Sequence, residues 1–243
     1  MWENEAVSDL PQGVAMKIAT LLALVAAMLF AGGTSRAADP NIAGGNSFVR
    51  VLHAISNSPK VDVYLDGKKK LNDIEFDTLS KYLRIPSGYH SFRITSNNPT
   101  RTLASGSRNF SRNHFYTVGV FGMLNSPKLF AADDTAGQVP YNRAMLTVYH
   151  LAPGAPAVGV TGTIRGTEVL TFTRSLTYGR RAVLGIPALP MTVRVVRSNM
   201  PVNRGVLKTI TGVSPRAGRK YAAYVIGNVS RNFKVLLDVT GSQ

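Results

Sequence analysis

The sequence predicts an all-β protein: two tandem immunoglobulin-like β-sandwich domains that follow an N-terminal signal peptide. Three observations predict this fold. Apolar and polar residues alternate at a period of two, one pattern of motifs occurs twice, and clusters of Gly, Pro, Ser and Asn interrupt the chain at short intervals. Beyond the signal, no long stretch places apolar residues at helical spacing. A repeat of about 95 residues with seven or so short strands suits an immunoglobulin-like sandwich.

Residues 1–37 predict a mis-called start followed by an export signal. Lys17 precedes an apolar run over 18–30, and small residues at Ser35 and Ala37 stand where a signal peptidase cleaves, so we expect cleavage after Ala37. A membrane-spanning helix needs about 20 apolar residues, more than this run offers. The residues upstream of Met16 are acidic, unlike the basic front of an export signal, which suggests that translation starts at Met16. We therefore expect a periplasmic or secreted protein without a transmembrane anchor in the mature chain.

The rest of the chain contains two copies of one sequence unit in tandem. Segment 50–63 matches 147–160 at a constant offset of 97, and 85–94 matches 186–195 at an offset of 101. Further matches follow in the same order, with an offset that only grows, as small loop insertions would produce. The predicted organisation is a linker over 38–46, a first domain over 47–138 and a second domain over 139–243.

Within the first unit, 61–66 shows the alternation of a half-buried strand. Val61, Val63 and Leu65 share one face, and the dipeptide Asp66-Gly67 suits the positive backbone angles of a tight hairpin turn. The second unit has Gly159 in place of Asp62 and lacks the Asp-Gly dipeptide. The sequence therefore predicts a hairpin turn of this kind only in the first unit.

Charge distinguishes the two units. Residues 38–140 hold 12 basic and 8 acidic side chains, a net of +4, whereas residues 141–243 hold 14 and 2, a net of +12. Arginine predominates in the second unit, and its planar fork suits carboxylates, sulfates and phosphates. There is no cysteine, which excludes disulfides and thiolate chemistry and favours a bacterial envelope over a eukaryotic secretory route.

The basic residues nearest to aromatic side chains are the candidate binding face. They are Arg180 and Arg181 beside Tyr178, and Arg216, Arg219 and Lys220 beside Tyr221. The expected partner is an anionic polysaccharide, a lipopolysaccharide head group or an acidic protein, and the alternative is that the charge only keeps the protein soluble. Nucleic acid is not expected, because the chain is exported and lacks an aromatic-rich binding signature. The oligomeric state stays open.

Catalytic motifs are missing from the sequence, so we expect no enzyme, no cofactor and no metal site. His53 and His150 recur at equivalent positions, where each ends a strand and precedes a proline-containing loop. Such a histidine can be a ligand or a general base, but the favoured interpretation is a packed ring that hydrogen-bonds a loop carbonyl. Asp62 and Asp66 stand about 13 Å apart on one strand face, too far to act as an acid–base pair.

The motifs of the first unit resemble a known family. Five segments carry the resemblance: 48–54, Ser58-Pro59, 61–67, 82–88 and 116–118. They are similar to the secreted bacterial repeat domain known as domain of unknown function 4397. The resemblance implies export, a β-sandwich and no known catalysis, and it supplies no ligand. A fainter resemblance is to the periplasmic accessory protein of alginate O-acetylation, so the alternative function is an accessory subunit of an exopolysaccharide synthesis or acetylation complex.

Overall fold

The computed structural model describes residues 45–201 and 203–241, and within these residues the only regular elements are seventeen β-strands. The predicted signal over 1–37 and most of the predicted linker over 38–46 lie outside them. In the described part of the chain, no helix has the length and apolarity needed to cross a membrane. The all-β prediction is confirmed.

The strands divide into two sets in chain order. The first half contains β1 (Asn46–Ile55), β2 (Val61–Leu65), β3 (Lys68–Ile74), β4 (Thr78–Leu79), β5 (Leu83–Pro86), β6 (Gly88–Asn97), β7 (Thr100–Phe110), β8 (Phe115–Met123) and β9 (Ser126–Asp133). The second half contains β10 (Arg143–His150), β11 (Val158–Ile164), β12 (Glu168–Leu176), β13 (Arg181–Pro187), β14 (Met191–Arg197), β15 (Val206–Val213), β16 (Lys220–Ile226) and β17 (Lys234–Thr240). Both sets exceed the seven or so strands expected per unit.

The two halves repeat one topology. In the first half, one sheet has the order β3-β2-β6-β7, and the other has β4-β1-β8-β9 with β5 also paired to β1. In the second half, the corresponding orders are β12-β11-β14-β15 and β13-β10-β16-β17. The pairs β1–β8 and β10–β16 are parallel, and the other pairs are antiparallel. Strands β4 and β5 are two pieces of the edge strand that is continuous as β13.

Alternation along the strands builds the core of each half. In the first half, Val49 and Val51 point into the space between the two sheets, where Val61, Val63 and Val118 meet them. In the second half, alternate residues of β10, β11 and β14 form the equivalent core. The predicted facial pattern is confirmed, because a period of two places every second side chain on the same side of a strand.

In each half, a tyrosine hydroxyl at the start of one core strand forms a hydrogen bond with the preceding segment. Tyr116 at the start of β8 accepts a hydrogen bond from the backbone N–H of Ser111 at 3.0 Å. Tyr221 at the start of β16 accepts one from the N–H of Arg216, also at 3.0 Å. In both cases the donor lies five residues upstream. This is the tyrosine corner of immunoglobulin-like sandwiches, present twice.

The hairpin turn that the sequence predicts only in the first unit is present in both halves. Asp66 and Gly67 join β2 to β3 with φ of 48° and 75°, and Arg165 and Gly166 follow β11 with φ of 53° and 79°. The prediction of a missing turn was wrong. The second hairpin is longer, so its turn is displaced along the sequence, and the glycine at the second position supplies the positive φ whichever residue precedes it.

The outer faces of the two β1- and β10-containing sheets pack on each other. Leu52, Phe121 and Phe130 from the first half meet Tyr149 and Tyr224 from the second in one buried cluster. The Tyr149 and Tyr224 rings stack at 5.3 Å between centroids, and the Phe130 ring meets both edge-on. The described residues therefore form one compact unit, and the exact boundary between the two domains stays a prediction.

Candidate functional site

A cleft of about 480 Å³ opens where the two halves meet, and we call it the junction cleft. The first half contributes β9 and one side chain each of β7 and β8, the segment between the halves contributes Ala136, and the second half contributes the end of β10 and the start of β13. The lining side chains used below are Arg108, Leu129, Asp133, Tyr149, Arg180 and Arg181. Its volume lies in the range of roughly 300–1,000 Å³ that is typical of ligand sites, which often form between domains.

Three arginines line the junction cleft, and none of them forms an ion pair with a described residue. The Arg108 guanidinium lies over the Tyr116 ring at 4.8 Å. Arg181 lies near the Tyr149 hydroxyl and acts to lower its pKa, but that pKa is raised, first by burial and then by the charge of Asp134. Arg180 is exposed. Because a guanidinium carries five N–H donors, the cleft presents many donors that lack a partner in the described protein.

One carboxylate side chain also lines the junction cleft. Asp133 accepts a hydrogen bond from the Nδ1 of His114 at 2.9 Å and one from the backbone N–H of Thr135 at 2.9 Å. Its side chain keeps 21 % of its accessible surface. The cleft is therefore cationic but carries one acceptor-only group on its first-half wall.

A smaller hollow of about 140 Å³ adjoins the junction cleft and shares Asp133, Tyr149 and Arg181 with it. Lys220 lies in this hollow, where its ammonium group donates to the backbone carbonyls of Thr135 and Gly137, the latter at 2.7 Å. Lys220 thus ties the segment that links the halves to the start of β16. Its position indicates a structural role, because its donors already face backbone oxygens.

The structure separates the five predicted binding residues. Arg180 and Arg181 lie in the junction cleft, and Lys220 lies in the adjoining hollow. Arg216 and Arg219 are exposed on the turn between β15 and β16, and they do not line either space. Sequence reasoning missed Arg108, because it belongs to the mildly charged half and reaches the cleft only through the packing of the two halves.

The two repeated histidines are buried and hold loops. The Nε2 of His53 lies 3.4 Å from the Pro59 carbonyl, and that of His150 lies 3.0 Å from the Pro156 carbonyl. Burial lowers the pKa of His53 to about 4 and lowers the pKa of His150 as well. Both rings are neutral near pH 7 and fully buried. The favoured interpretation, a packed ring bonded to a loop carbonyl, is confirmed.

The two carboxylates Asp62, on β2, and Asp66, in the turn after it, have different partners. Asp62 pairs with Lys69, and Asp66 pairs with His90 at 2.6 Å. Burial acts to raise the pKa of Asp66, but hydrogen bonds from His90 and Ser91 outweigh it and lower that pKa. Among the residues that the structure describes, no three His, Asp or Glu side chains are arranged to hold a metal ion.

A buried charged network crosses the junction and was not predicted. The Arg50 side chain, 1 % exposed, ion-pairs with Asp134 at 3.6 Å and with Asp238 at 2.5 Å. The same group donates to Thr117 Oγ1 and to the Tyr224 hydroxyl, and it lies over the Tyr82 ring at 4.6 Å. The signal was available: Arg50 is a charge within an apolar run, on the face opposite to Val49 and Val51.

The Arg50 network changes the pKa of its acidic members. Asp134 has a raised pKa because burial outweighs the favourable effects of Thr117 and Arg50. The pKa of Tyr82 and that of Tyr224 are also raised, in both cases mainly by burial. The polar groups of this network are satisfied by hydrogen bonds within the protein. The network therefore stabilises the contact between the two halves.

The solved structures to which this chain is similar include two distant ones. One is a family 26 carbohydrate-binding module from Eubacterium rectale in complex with maltoheptaose, at 13 % identity and a TM-score of 0.24, over 79 % of this chain and 96 % of that one. The other is a putative cell adhesion protein from Bacteroides fragilis, at 13 % identity and a TM-score of 0.24, over 82 % and 98 %. At these scores they carry no argument about function.

No curated protein matches this chain in sequence, and nothing supports the resemblance to the alginate O-acetylation protein. A family model does match, over residues 47–161, and its description is that of a domain of unknown function. The match covers the whole first half and continues through β10 into β11. It includes the Arg50 and His53 positions, whose structural roles are described above. Residues 47–161 therefore match the family of domain of unknown function 4397, as the motifs of the first unit predicted.

Proposed function

We propose that the protein is an exported, non-catalytic binding protein of the bacterial envelope that holds an anionic partner through its basic second half. One observation carries the proposal. Of the 14 basic side chains in residues 141–243, no arginine forms an ion pair with a carboxylate among the described residues, and Lys234 pairs with Asp77 of the first half. Structural charge is usually balanced by nearby opposite charge, whereas nine of the eleven arginines in this half are exposed and available to a partner.

A binding role rather than a catalytic one is supported by the state of the polar groups. The repeated histidines are buried against loop carbonyls, and the carboxylates of β2 and β3 are bonded to lysine, histidine or amide groups. A general acid or base has to reach its substrate within hydrogen-bond distance. The junction cleft instead offers guanidinium groups, which bind anions and do not exchange protons near neutral pH.

The proposal is tested with two variants of equal charge loss in the full mature chain. One replaces Arg180, Arg216 and Arg219 with Gln, and the other replaces the exposed first-half residues Lys68, Lys70 and Lys81 with Gln. On an immobilised heparin column, we expect the arginine variant to elute at clearly lower salt than the lysine variant. Retention should fall as salt rises, because exposed charges are screened within about 8 Å at physiological ionic strength.

Equal elution of the two variants would contradict the proposal, because retention would then report net charge alone. Failure of the unchanged protein to bind heparin in low salt would contradict it as well. Circular dichroism of all three proteins checks that the fold is unchanged.

A further inference from the structure

The junction cleft joins groups that neither half possesses alone. Arg108 and Asp133 come from the first half, and Tyr149, Arg180 and Arg181 come from the second. The two walls are held together by the buried cluster around Phe130 and by the Arg50 network. A ligand that contacts both walls therefore needs the assembled molecule.

The cationic groups of the cleft suit a flat anion such as a carboxylate. Arg181 lies near the Tyr149 hydroxyl, the Arg108 guanidinium lies over the Tyr116 ring, and the Arg180 guanidinium has no hydrogen-bond or ion-pair partner among the described residues. Guanidinium forks pair with a carboxylate through two parallel N–H···O bonds. The contact with the Tyr116 ring restricts the Arg108 side chain, which reduces the entropy lost when a ligand binds.

Asp133 selects against ligands that carry only negative charge. Its carboxylate is acceptor-only and already receives donors from His114 and Thr135. Its remaining lone pairs call for a neutral donor such as a hydroxyl group. An ionised phosphate chain offers no hydroxyl donor to these lone pairs, so Asp133 repels it without a compensating hydrogen bond.

An apolar strip lies along the same wall as Asp133. Leu129 is 37 % exposed, and Ala131 beyond it on β9 is also exposed. Both residues line the junction cleft. Such a strip suits the C–H face of a sugar ring, because burial of that face removes apolar surface from water.

We infer that the junction cleft recognises a carboxylated sugar, a glycan unit with one carboxylate and free hydroxyl groups, through residues of both halves. The carboxylate binds Arg180 and Arg181, a hydroxyl donates to Asp133, and the ring lies along Leu129. This inference rests on the proposed function and names the ligand class of that site. It assigns no role in binding to Arg216 or Arg219.

Isothermal titration calorimetry of the full mature chain tests the inference with three probes. They are an oligogalacturonate, the same oligosaccharide with its carboxylates methyl-esterified, and a polyphosphate of matched charge. We expect the oligogalacturonate to bind at least about tenfold more tightly than either of the others, the difference expected when charge-assisted hydrogen bonds are lost. Equal or tighter binding of polyphosphate would overturn the inference.

Matched variants locate the site. Replacing Arg180 and Arg181 with Gln should weaken oligogalacturonate binding about tenfold or more, whereas replacing Arg216 and Arg219 with Gln, an equal charge loss outside the cleft, should change it less than about twofold. Asp133→Asn should weaken oligogalacturonate binding and strengthen polyphosphate binding. If Asp133→Asn strengthens the binding of both oligogalacturonate and polyphosphate, Asp133 is not a hydroxyl acceptor. The inference that the ligand is a sugar is then overturned.

The outcomes separate this inference from the proposed function. If no anionic probe binds, both fail. If anions bind but the Arg216 and Arg219 variant loses as much affinity as the Arg180 and Arg181 variant, the proposed function stands and the junction cleft is excluded as the site.

Discussion

The cores of the two halves differ at two aligned positions, where the first half has aromatic rings and the second has smaller side chains. Phe92 and Phe110 belong to the first core, and the Phe110 ring lies 4.9 Å from the Tyr116 ring. Their counterparts are Val193 and Pro215, and a small apolar cavity of about 20 Å³ lies beside them and Tyr221. The two halves thus share a strand order but not a core, which shows that the topology tolerates either filling.

The halves also differ in how they use charge. The first half supplies Arg50, Thr117 and Asp134 to the buried network, while the corresponding strand positions of the second half are Thr147, Ala222 and Thr240. The second half has the larger net charge, and most of its arginines are exposed. The buried arginine therefore belongs to the less basic copy, whereas the more basic copy carries its excess charge mainly at the surface.

The largest expected effect comes from removing the cation of the buried network, which only the first half supplies. Arg50→Met should lower the free energy of unfolding by about 3–5 kcal/mol in urea at pH 7, because it leaves Asp134 buried without its cation. The matched change in the second half, Thr147→Val, should stay within about 1 kcal/mol. Combining Arg50→Met with Asp134→Leu should restore most of the loss. A cost below about 1 kcal/mol for Arg50→Met would show that the network does not hold the junction.

The next effect depends on pH. The folded pKa of His53 is about 4, below its ordinary value of 6.5, so the unfolded chain binds more protons between these values. The contribution of His53 is therefore complete above pH 6.5 and is lost as pH falls toward 4, by about 3 kcal/mol at most. His53→Gln, which keeps a donor toward Pro59, should reduce the stability loss between pH 7 and pH 4.5. Identical pH profiles of the two proteins would contradict the lowered pKa.

A smaller effect sharpens the contrast between the cores. Phe92→Val, which gives the first half the residue of the second, should cost about 2–3 kcal/mol because it leaves a cavity. Val193→Ile adds one methylene beside the existing cavity and should be neutral or stabilising by up to about 1 kcal/mol. Thermal unfolding of both variants measures this. A destabilised Val193→Ile would mean that the second core is already filled.

The smallest effect concerns a feature that the halves share. Gly67→Ala and Gly166→Ala should each cost about 1 kcal/mol, because both glycines have positive φ and an added Cβ would meet no atom within 4 Å. The cost is therefore purely conformational and should agree between the halves. If only Gly67→Ala is costly, the second hairpin does not depend on its turn. Urea unfolding of the two variants decides this.

The sequence by itself determined the features that local pattern encodes. A period of two in 61–66 specified which side chains face the core, and the offset of 97 between His53 and His150 specified that both copies use the same loop-holding histidine. The charge difference between the halves also required only counting. These features can be predicted because they depend only on strand alternation and on the order of residues along the chain.

The tertiary structure decided what depends on packing between distant segments. It brought Arg108 of β7 beside Arg180 and Arg181, left Arg216 and Arg219 outside, and closed Arg50 against Asp238. It also gave Arg165 and Gly166 the turn that their sequence did not suggest. The physical reason is the same in each case. An outward strand face looks alike in sequence whether it meets water or a second sheet, and only the complementarity of the two faces chooses between them.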